Sequence, residues 1–188
     1  MSRFIISIAL ATWATLGMPS RVRAGLCQEE VCVRFDPAST VVGVGDTFSV
    51  NIVADMATPV VGWGLDFAAV TPPVVSIQAP PTIGLIWLAA HATDGDGLAG
   101  LAFPNSVVGD GVVLATLHLH ADTLGQTDLQ LSTTLGDLTE GFAKDPSGFA
   151  TVGFELGHVA VVPEPSIGFA LATLALLAMA HGRAMRKK

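Results

Sequence analysis

The amino-acid sequence predicts an all-β protein whose main domain is an antiparallel β-sandwich. Short segments alternate apolar and polar residues with a period of two, which is typical of strands with one buried face. Glycine, proline and aspartate interrupt these segments, and the chain holds 20 glycines and 11 prolines in 188 residues. No amphipathic helix of three turns occurs before residue 163. Packed helices are therefore not expected in the domain.

The predicted strands follow one another at short intervals between residues 25 and 162. The alternating apolar positions are Val31, Val33 and Phe35; Phe48, Val50 and Ile52; Val61, Trp63, Leu65 and Phe67; Val113, Ala115, Leu117 and Leu119; Thr127, Leu129 and Leu131; Val152, Phe154 and Leu156; and Val159 and Val161. Segments 74–77 and 100–103 predict two further strands, and 83–90 is compatible with a strand or a helical turn. Eight or nine short strands with turns between them are typical of two sheets packed face to face.

Residues 1–24 predict a secretory signal peptide. Arg3 gives a positive start, an apolar run covers 4–16, and Ala24 ends a small-residue cleavage site. Leu26 precedes Cys27 where a lipoprotein site requires a small residue, which argues against lipid attachment. The domain is then residues 25–162, which is the length of one domain.

Residues 163–188 predict a membrane anchor in three parts. The segment begins with Pro163-Glu164-Pro165, where proline stops one element and favours the start of a helix. An apolar run follows, and residues 167–182 predict one short transmembrane helix, since a span takes roughly 20 residues. The segment ends on the basic residues Arg183, Arg186, Lys187 and Lys188. Basic ends stay in the cytoplasm, so the domain is expected outside.

The charge of the domain limits its partners. Residues 25–162 contain two basic residues, Arg34 and Lys144, against fifteen carboxylates, which is a net charge of −13. Such a surface excludes nucleic acid and anionic lipid surfaces as favoured partners. Export permits a disulfide between Cys27 and Cys32, provided that the chain turns between them.

Two groups of residues are candidates for binding a metal. Asp94 and Asp96 lie two apart in a glycine-rich loop, as at the start of many calcium loops. The twelfth position falls on Asn105 where a calcium loop has glutamate, so a tight turn is the competing interpretation. His118 and His120 share one face of a strand and have the spacing of metal ligands. No cysteine or third histidine lies near them in sequence, which favours a polar solvent face.

Catalysis has little support in the sequence. No Gly-x-Ser-x-Gly motif occurs, and the serines lie without an adjacent base. Paired carboxylates for glycoside hydrolysis remain an open alternative, since their separation in space is not visible in a sequence. We therefore expect a non-enzymatic protein, with no cofactor unless calcium binds.

Aromatic platforms for sugar are scarce. The domain has no tyrosine and two tryptophans, Trp63 and Trp87. Trp63 alternates in phase with Leu65 and Phe67, which predicts a core position. Trp87 lies between a proline segment and an Asp-Gly turn and is the candidate ligand contact, with a core position as the equal alternative.

The tail resembles the PEP-CTERM sorting signal of Gram-negative bacteria. The resemblance rests on Pro163-Glu164-Pro165, the short apolar run and the basic end. It implies an exosortase-type sorting protease as partner, a precursor anchored transiently in the inner membrane, and release to the cell surface or extracellular matrix. The alternative is an ordinary tail anchor.

The domain resembles the cohesin family. The resemblance rests on five segments, which are 33–37, 44–53, 60–67, 109–119 and 125–131. It implies a nine-stranded jelly-roll related to carbohydrate-binding modules, and a dockerin-like protein or exopolysaccharide as partner. We expect an exported surface or matrix protein that acts by binding. The alternatives are a membrane-anchored periplasmic exopolysaccharide-binding module and a small glycan hydrolase.

Overall fold

The structure, a computed structural model, describes residues 28–90, 97–134 and 139–163. These residues are all-β, and no helix occurs among them. The eleven strands are β1 (Val31–Asp36), β2 (Ser39–Gly43), β3 (Thr47–Ala69), β4 (Val75–Ile83), β5 (Leu88–Ala90), β6 (Gly97–Leu101), β7 (Val107–Ala121), β8 (Gly125–Ser132), β9 (Gly141–Lys144), β10 (Val152–Phe154) and β11 (Gly157–Val162). No membrane-crossing helix is found in the described part of the chain. The predicted signal peptide at 1–24 and span at 167–182 lie outside it.

The strands form two layers that share β3. The first half of β3 pairs with β1 and β7, which gives the order β10-β1-β3-β7-β4. The second half pairs with β6 on one side and with β9 and β8 on the other, which gives β5-β6-β3-β8-β11-β2. The outer strands β4 and β10 of the first layer, and β5 and β2 of the second, each have one ladder partner among the described residues.

β3 changes layer near its middle. Its pairing with β7 shifts register between Ala54 and Met56 and again between Met56 and Val60. Gly109, which is opposite Met56, has a φ of 136°, a conformation that suits glycine. Bulges of this kind bend a strand and increase its twist. The two strands predicted at 48–52 and 61–67 are therefore one continuous element.

The core lies between the two layers and follows the predicted alternation. Every second side chain of β1, at Val31, Val33 and Phe35, is buried. Phe35 meets Phe67 edge to face at 6.3 Å, so β1 and the second half of β3 contact across the core. The other fully buried large side chains include Ile52, Leu65, Leu117, Leu119, Leu129 and Phe142.

Two of the positions that the alternation places in the core are exposed. Val113 is 38 % exposed and its neighbour Leu114 is fully buried, because the register shift opposite Ile52 and Val53 places an extra residue in β7. Leu156 lies beyond the end of β10 and is exposed. In both places a local departure from the ladder, invisible in the apolar pattern, reverses the side that the residue faces.

Candidate functional site

A row of apolar residues crosses the outer surface of the second layer. Leu88 of β5 is opposite Leu101 of β6, Leu101 is opposite Gly62 of β3, and Gly62 is opposite Ala143 of β9. Leu88 is 66 % exposed and Leu101 is 41 % exposed. Trp63, the neighbour of Gly62 in β3, points into the core. The row therefore belongs to the opposite, solvent-facing side.

Glycine at the middle of this row has no side chain that projects from the sheet. A Cβ at Gly62 would lie 3.2 Å from Cδ1 of Leu101, so the Leu101 side chain lies across this glycine. A Cβ at Gly141 would lie 3.2 Å from the Phe149 ring, so that ring covers Gly141 in the same way. Phe149 is half exposed. Leucine and phenylalanine side chains thus lie flat on strands that have no side chain at these positions.

Two turns add exposed apolar residues at the margin. Phe103 is exposed in the turn after β6, and this turn is held by hydrogen bonds from Ala102 N–H to the Val61 carbonyl (2.8 Å) and from Asn105 N–H to the Ala102 carbonyl (2.9 Å). The second turn precedes β5 and exposes two residues, Leu85 and Ile86. We call the set Leu85, Ile86, Leu88, Leu101, Phe103 and Phe149 the apolar face.

Trp87 anchors the second turn from inside. Its indole N–H donates to the Val113 carbonyl at 3.1 Å, and its ring meets Trp63 edge to face at 6.2 Å. Gly84 closes the turn by accepting from Trp87 N–H at 2.9 Å, and a Cβ on Gly84 would lie 2.2 Å from the Val113 oxygen. Trp87 is only 5 % exposed. The ligand contact predicted at Trp87 is therefore corrected to a core position, while the core position predicted for Trp63 is confirmed.

One ion pair lies beside the apolar face, next to Ala143. The Lys144 ammonium is 3.0 Å from a Glu30 carboxylate oxygen. Thr151 N–H donates to the same carboxylate at 2.9 Å. The Thr151 hydrogen bond, followed by the Lys144 contact, lowers the pKa of Glu30 below its usual 4.5.

The outer surface of the first layer is polar where the sequence places its histidines. His118 Nδ1 is 3.1 Å from the Ser49 hydroxyl, and Nε2 is 3.0 Å from the Thr82 hydroxyl. A serine–histidine pair needs an acid on the second ring nitrogen to act as a nucleophile, and here that nitrogen meets a neutral hydroxyl. His120 Nδ1 lies 2.8 Å from Asp122, and this contact lowers the pKa of the Asp122 carboxyl.

The described residues contain no group of three or more histidine, cysteine, aspartate or glutamate side chains that is placed to hold a metal. His118 and His120 lie on a polar face, with Ser49, Thr82 and Asp122 as their hydrogen-bond partners. Asp94 and Asp96 lie outside the described residues, so the calcium prediction stays a prediction.

The remaining predicted residues lie near the ends of the described chain. Pro163 follows β11 and is exposed, whereas Glu164, Pro165 and the basic end lie outside the described residues. Cys32 lies in β1 and is disulfide-bonded. Cys27 lies outside the described residues, so its pairing with Cys32 stays a prediction.

Solved structures show which fold this arrangement belongs to. The third ScaB cohesin of R. flavefaciens, solved in complex with a group 1 dockerin, has a TM-score of 0.59 at 13 % identity, covering 73 % of this chain and 99 % of its own. A non-cellulosomal cohesin of the archaeon Archaeoglobus fulgidus has a TM-score of 0.55 at 16 % identity, covering 76 % and 96 %. This chain has a cohesin-like fold.

A third cohesin-like neighbour is a type I cohesin–dockerin complex from Clostridium thermocellum. It has a TM-score of 0.50 at 10 % identity and covers 72 % of this chain and 94 % of its own. No family model matches the sequence, and no curated protein matches it. At these identities the similarity establishes the β-sandwich alone. The structure has eleven described strands, whereas the resemblance implied nine.

The apolar face was not predicted from the sequence. Its residues come from 85–103 and 149, and strand register alone makes Leu88 and Leu101 neighbours. One signal was present in the sequence. Gly62 and Gly64 alternate with the core residues Trp63 and Leu65, which marks a strand whose other side has no side chains, so that neighbouring residues can lie directly on its backbone.

Proposed function

We propose that this protein is an exported, non-enzymatic binding protein whose cohesin-like domain docks another protein on the apolar face. The observation that carries the proposal is the exposed row Leu88 and Leu101 beside Phe149, presented on paired strands. Exposed apolar patches on a folded domain are characteristic of interaction sites. A rigid sheet presents such residues without the entropy cost of ordering a loop on binding.

The partner that this face fits is a dockerin-like module of another protein. Two of the neighbours with this fold, from R. flavefaciens and Clostridium thermocellum, were solved with dockerins bound. The net charge of −13 on residues 25–162 also limits which charge the partner can carry around its contact surface. A partner whose apolar centre is surrounded by neutral or basic residues would approach without repulsion.

Substitution on the face tests the proposal. The wild-type protein is used to capture partners from the extracellular fraction of its native cell, and the captured protein is purified and titrated by calorimetry. Leu101→Asp places a charge at the centre of the row and is expected to weaken binding roughly 30-fold or more, as for a central interface residue. Leu156→Asp is the matched control, because Leu156 is also exposed but lies between β10 and β11, outside the strands that form the apolar row.

Equal losses of binding affinity in both variants, or an unchanged affinity in Leu101→Asp, would contradict the proposed binding face. Circular dichroism and the unfolding midpoint of each variant establish that the fold is kept. The same three proteins are run by affinity electrophoresis in native exopolysaccharide. Retardation of the wild type by polysaccharide, with no protein captured, would favour the polysaccharide-binding alternative, whose candidate contact at Trp87 is buried in this structure.

The tail supports a proposal about location. An exosortase-type protease would cut near Pro163-Glu164-Pro165 and release the domain from the inner membrane to the cell surface or matrix. The intact mass of the protein from its native cell tests this directly. A mass that lacks both 1–24 and the residues after about 165 is expected, whereas a mass that retains 167–188 would leave a permanently anchored protein.

A further inference from the structure

A second apolar cluster lies where the chain leaves the domain. Ala160 of β11 is opposite Val41 of β2. Val161 of β11 is opposite Gly125 of β8, so the next residues outward, Val162 and Leu124, are neighbours at the end of that ladder. Val41, Leu124 and Val162 are 67 %, 57 % and 40 % exposed. We call Val41, Leu124, Ala160 and Val162 the exit patch.

The exit patch contains no charged residue, although residues 25–162 carry a net charge of −13. Asp46 and Asp128 flank it, and each carboxylate is held by a group at the edge of the patch. Asp46 accepts a hydrogen bond from Gly43 N–H at 2.8 Å, and Asp128 lies 2.9 Å from His158 Nδ1. The patch is therefore an uncharged apolar surface bordered by carboxylates. Such a surface suits an uncharged or zwitterionic partner better than an anionic one.

The linker between this patch and the predicted span is short. β11 ends at Val162, whose carbonyl accepts from Val44 N–H at 3.1 Å, and the predicted span begins at residue 167. The four residues between them reach at most about 14 Å when fully extended. The headgroup layer of a bilayer is itself roughly 6 Å thick on each side. A domain tethered so closely has its exit patch at the lipid surface.

We propose that the exit patch rests on the zwitterionic lipid surface while the tail is embedded. The proposal rests on the membrane-anchored precursor proposed above. It also orients the domain. The distance between the two apolar surfaces follows from the strand registers. From Gly62 in the apolar row, β3 runs seven positions to Ala69, and from its partner Leu129 β8 runs four more positions to Gly125 beside the exit patch. These eleven positions correspond to roughly 36 Å at about 3.3 Å per residue. The apolar face then points away from the membrane, where a soluble partner reaches it.

Site-directed labelling of residues 25–188, the chain without its predicted signal peptide, in phosphatidylcholine vesicles tests the proposal. Single cysteines at Leu124, Phe103 and Leu174 carry the environment-sensitive dye NBD under oxidising conditions. Wild-type protein carried through the same labelling reaction checks that the native cysteines take up no dye. Leu124→Cys reports on the exit patch, Phe103→Cys on the far end of the domain, and Leu174→Cys on insertion of the tail. Lipids that carry a nitroxide near the headgroup quench a dye at the surface, as expected for Leu124→Cys, and lipids that carry it deep in the acyl chain quench a dye inside the bilayer, as expected for Leu174→Cys.

The expected result is a blue shift and quenching at Leu124→Cys and Leu174→Cys, with Phe103→Cys unchanged. Quenching at Leu174→Cys while Leu124→Cys stays as water-exposed as Phe103→Cys would overturn the lipid contact and leave the anchor intact. Equal quenching at Leu124→Cys and Phe103→Cys would overturn the orientation. No quenching at Leu174→Cys would overturn the anchor and, with it, this inference. A blue shift at Leu124→Cys that grows with protein concentration in vesicle-free solution would assign the patch to a second copy of the chain instead.

Discussion

Replacing Trp87 tests whether the turn before β5 is anchored in the core. The side chain is 5 % exposed. A tryptophan buries roughly 200 Å² of side chain, so at about 25 cal/mol per Å² its burial contributes at most about 5 kcal/mol. Truncation of a buried tryptophan to alanine typically costs about 3–5 kcal/mol. We therefore expect Trp87→Ala to lower the free energy of unfolding by about 4 kcal/mol.

The indole N–H adds a separable contribution. Trp87→Phe keeps a ring beside Trp63 but removes the donor to the Val113 carbonyl. The lost hydrogen bond and the unpaired carbonyl together should cost about 1–2 kcal/mol. Leu85→Ala is the control, because Leu85 lies in the same turn and is fully exposed, and exposed sites usually change stability by less than about 0.5 kcal/mol.

Urea denaturation followed by circular dichroism measures these differences. With a slope of about 2 kcal/mol per M, Trp87→Ala should move the unfolding midpoint down by roughly 2 M. The decrease in the urea midpoint should be largest for Trp87→Ala, smaller for Trp87→Phe and smallest for Leu85→Ala. A Trp87→Ala midpoint close to that of Leu85→Ala would refute the core position and reopen Trp87 as a ligand contact.

Two further predictions concern stability. In Gly100→Ala the new Cβ would lie 2.6 Å from Nε1 of Trp63, and overpacking of this kind costs about 1–3 kcal/mol. Its urea midpoint should fall, and an unchanged midpoint would contradict the close packing of β6 on the indole. In Glu30→Gln the carboxylate that binds Thr151 N–H and Lys144 loses its charge. Because the pKa of this carboxyl is lowered in the folded protein, its ionised form stabilises the fold above pH 4.5, and this stabilisation is lost as the pH falls through the lowered pKa. The urea midpoints of the wild type and Glu30→Gln should therefore differ above pH 4.5 and converge in acid. A difference that is independent of pH would contradict the ion pair.

The strand interiors could be predicted because burial of one face imposes a period of two. Val31, Val33 and Phe35 point to the core as their spacing indicates. Two of the described strands were missed, β2 (Ser39–Gly43) and β9 (Gly141–Lys144). Both are short, and they are strands because β11 and β3 provide ladder partners. A segment whose structure depends on a distant partner has no local signal of its own.

The candidate site was harder to predict than the fold. From sequence alone, a leucine within an apolar segment is expected in the core. Leu88 and Leu101 lie side by side on the outer surface only because of the register in which β5, β6 and β3 pair. The same limit applied to Trp87, where the apolar segment 83–90 had no clear period. The structure resolves it into a tight turn closed by Gly84, followed by a three-residue strand.

The footprint of a bound partner would test the central claim most directly. Hydrogen–deuterium exchange is measured on the protein alone and on its complex with the purified partner. We predict slower exchange in 84–90, 98–103 and 141–149, which carry the apolar face, and no change in β2 or β11. Protection centred on β2 and β11, or on the polar face around His118, with 98–103 unchanged, would show that this domain binds its partner elsewhere.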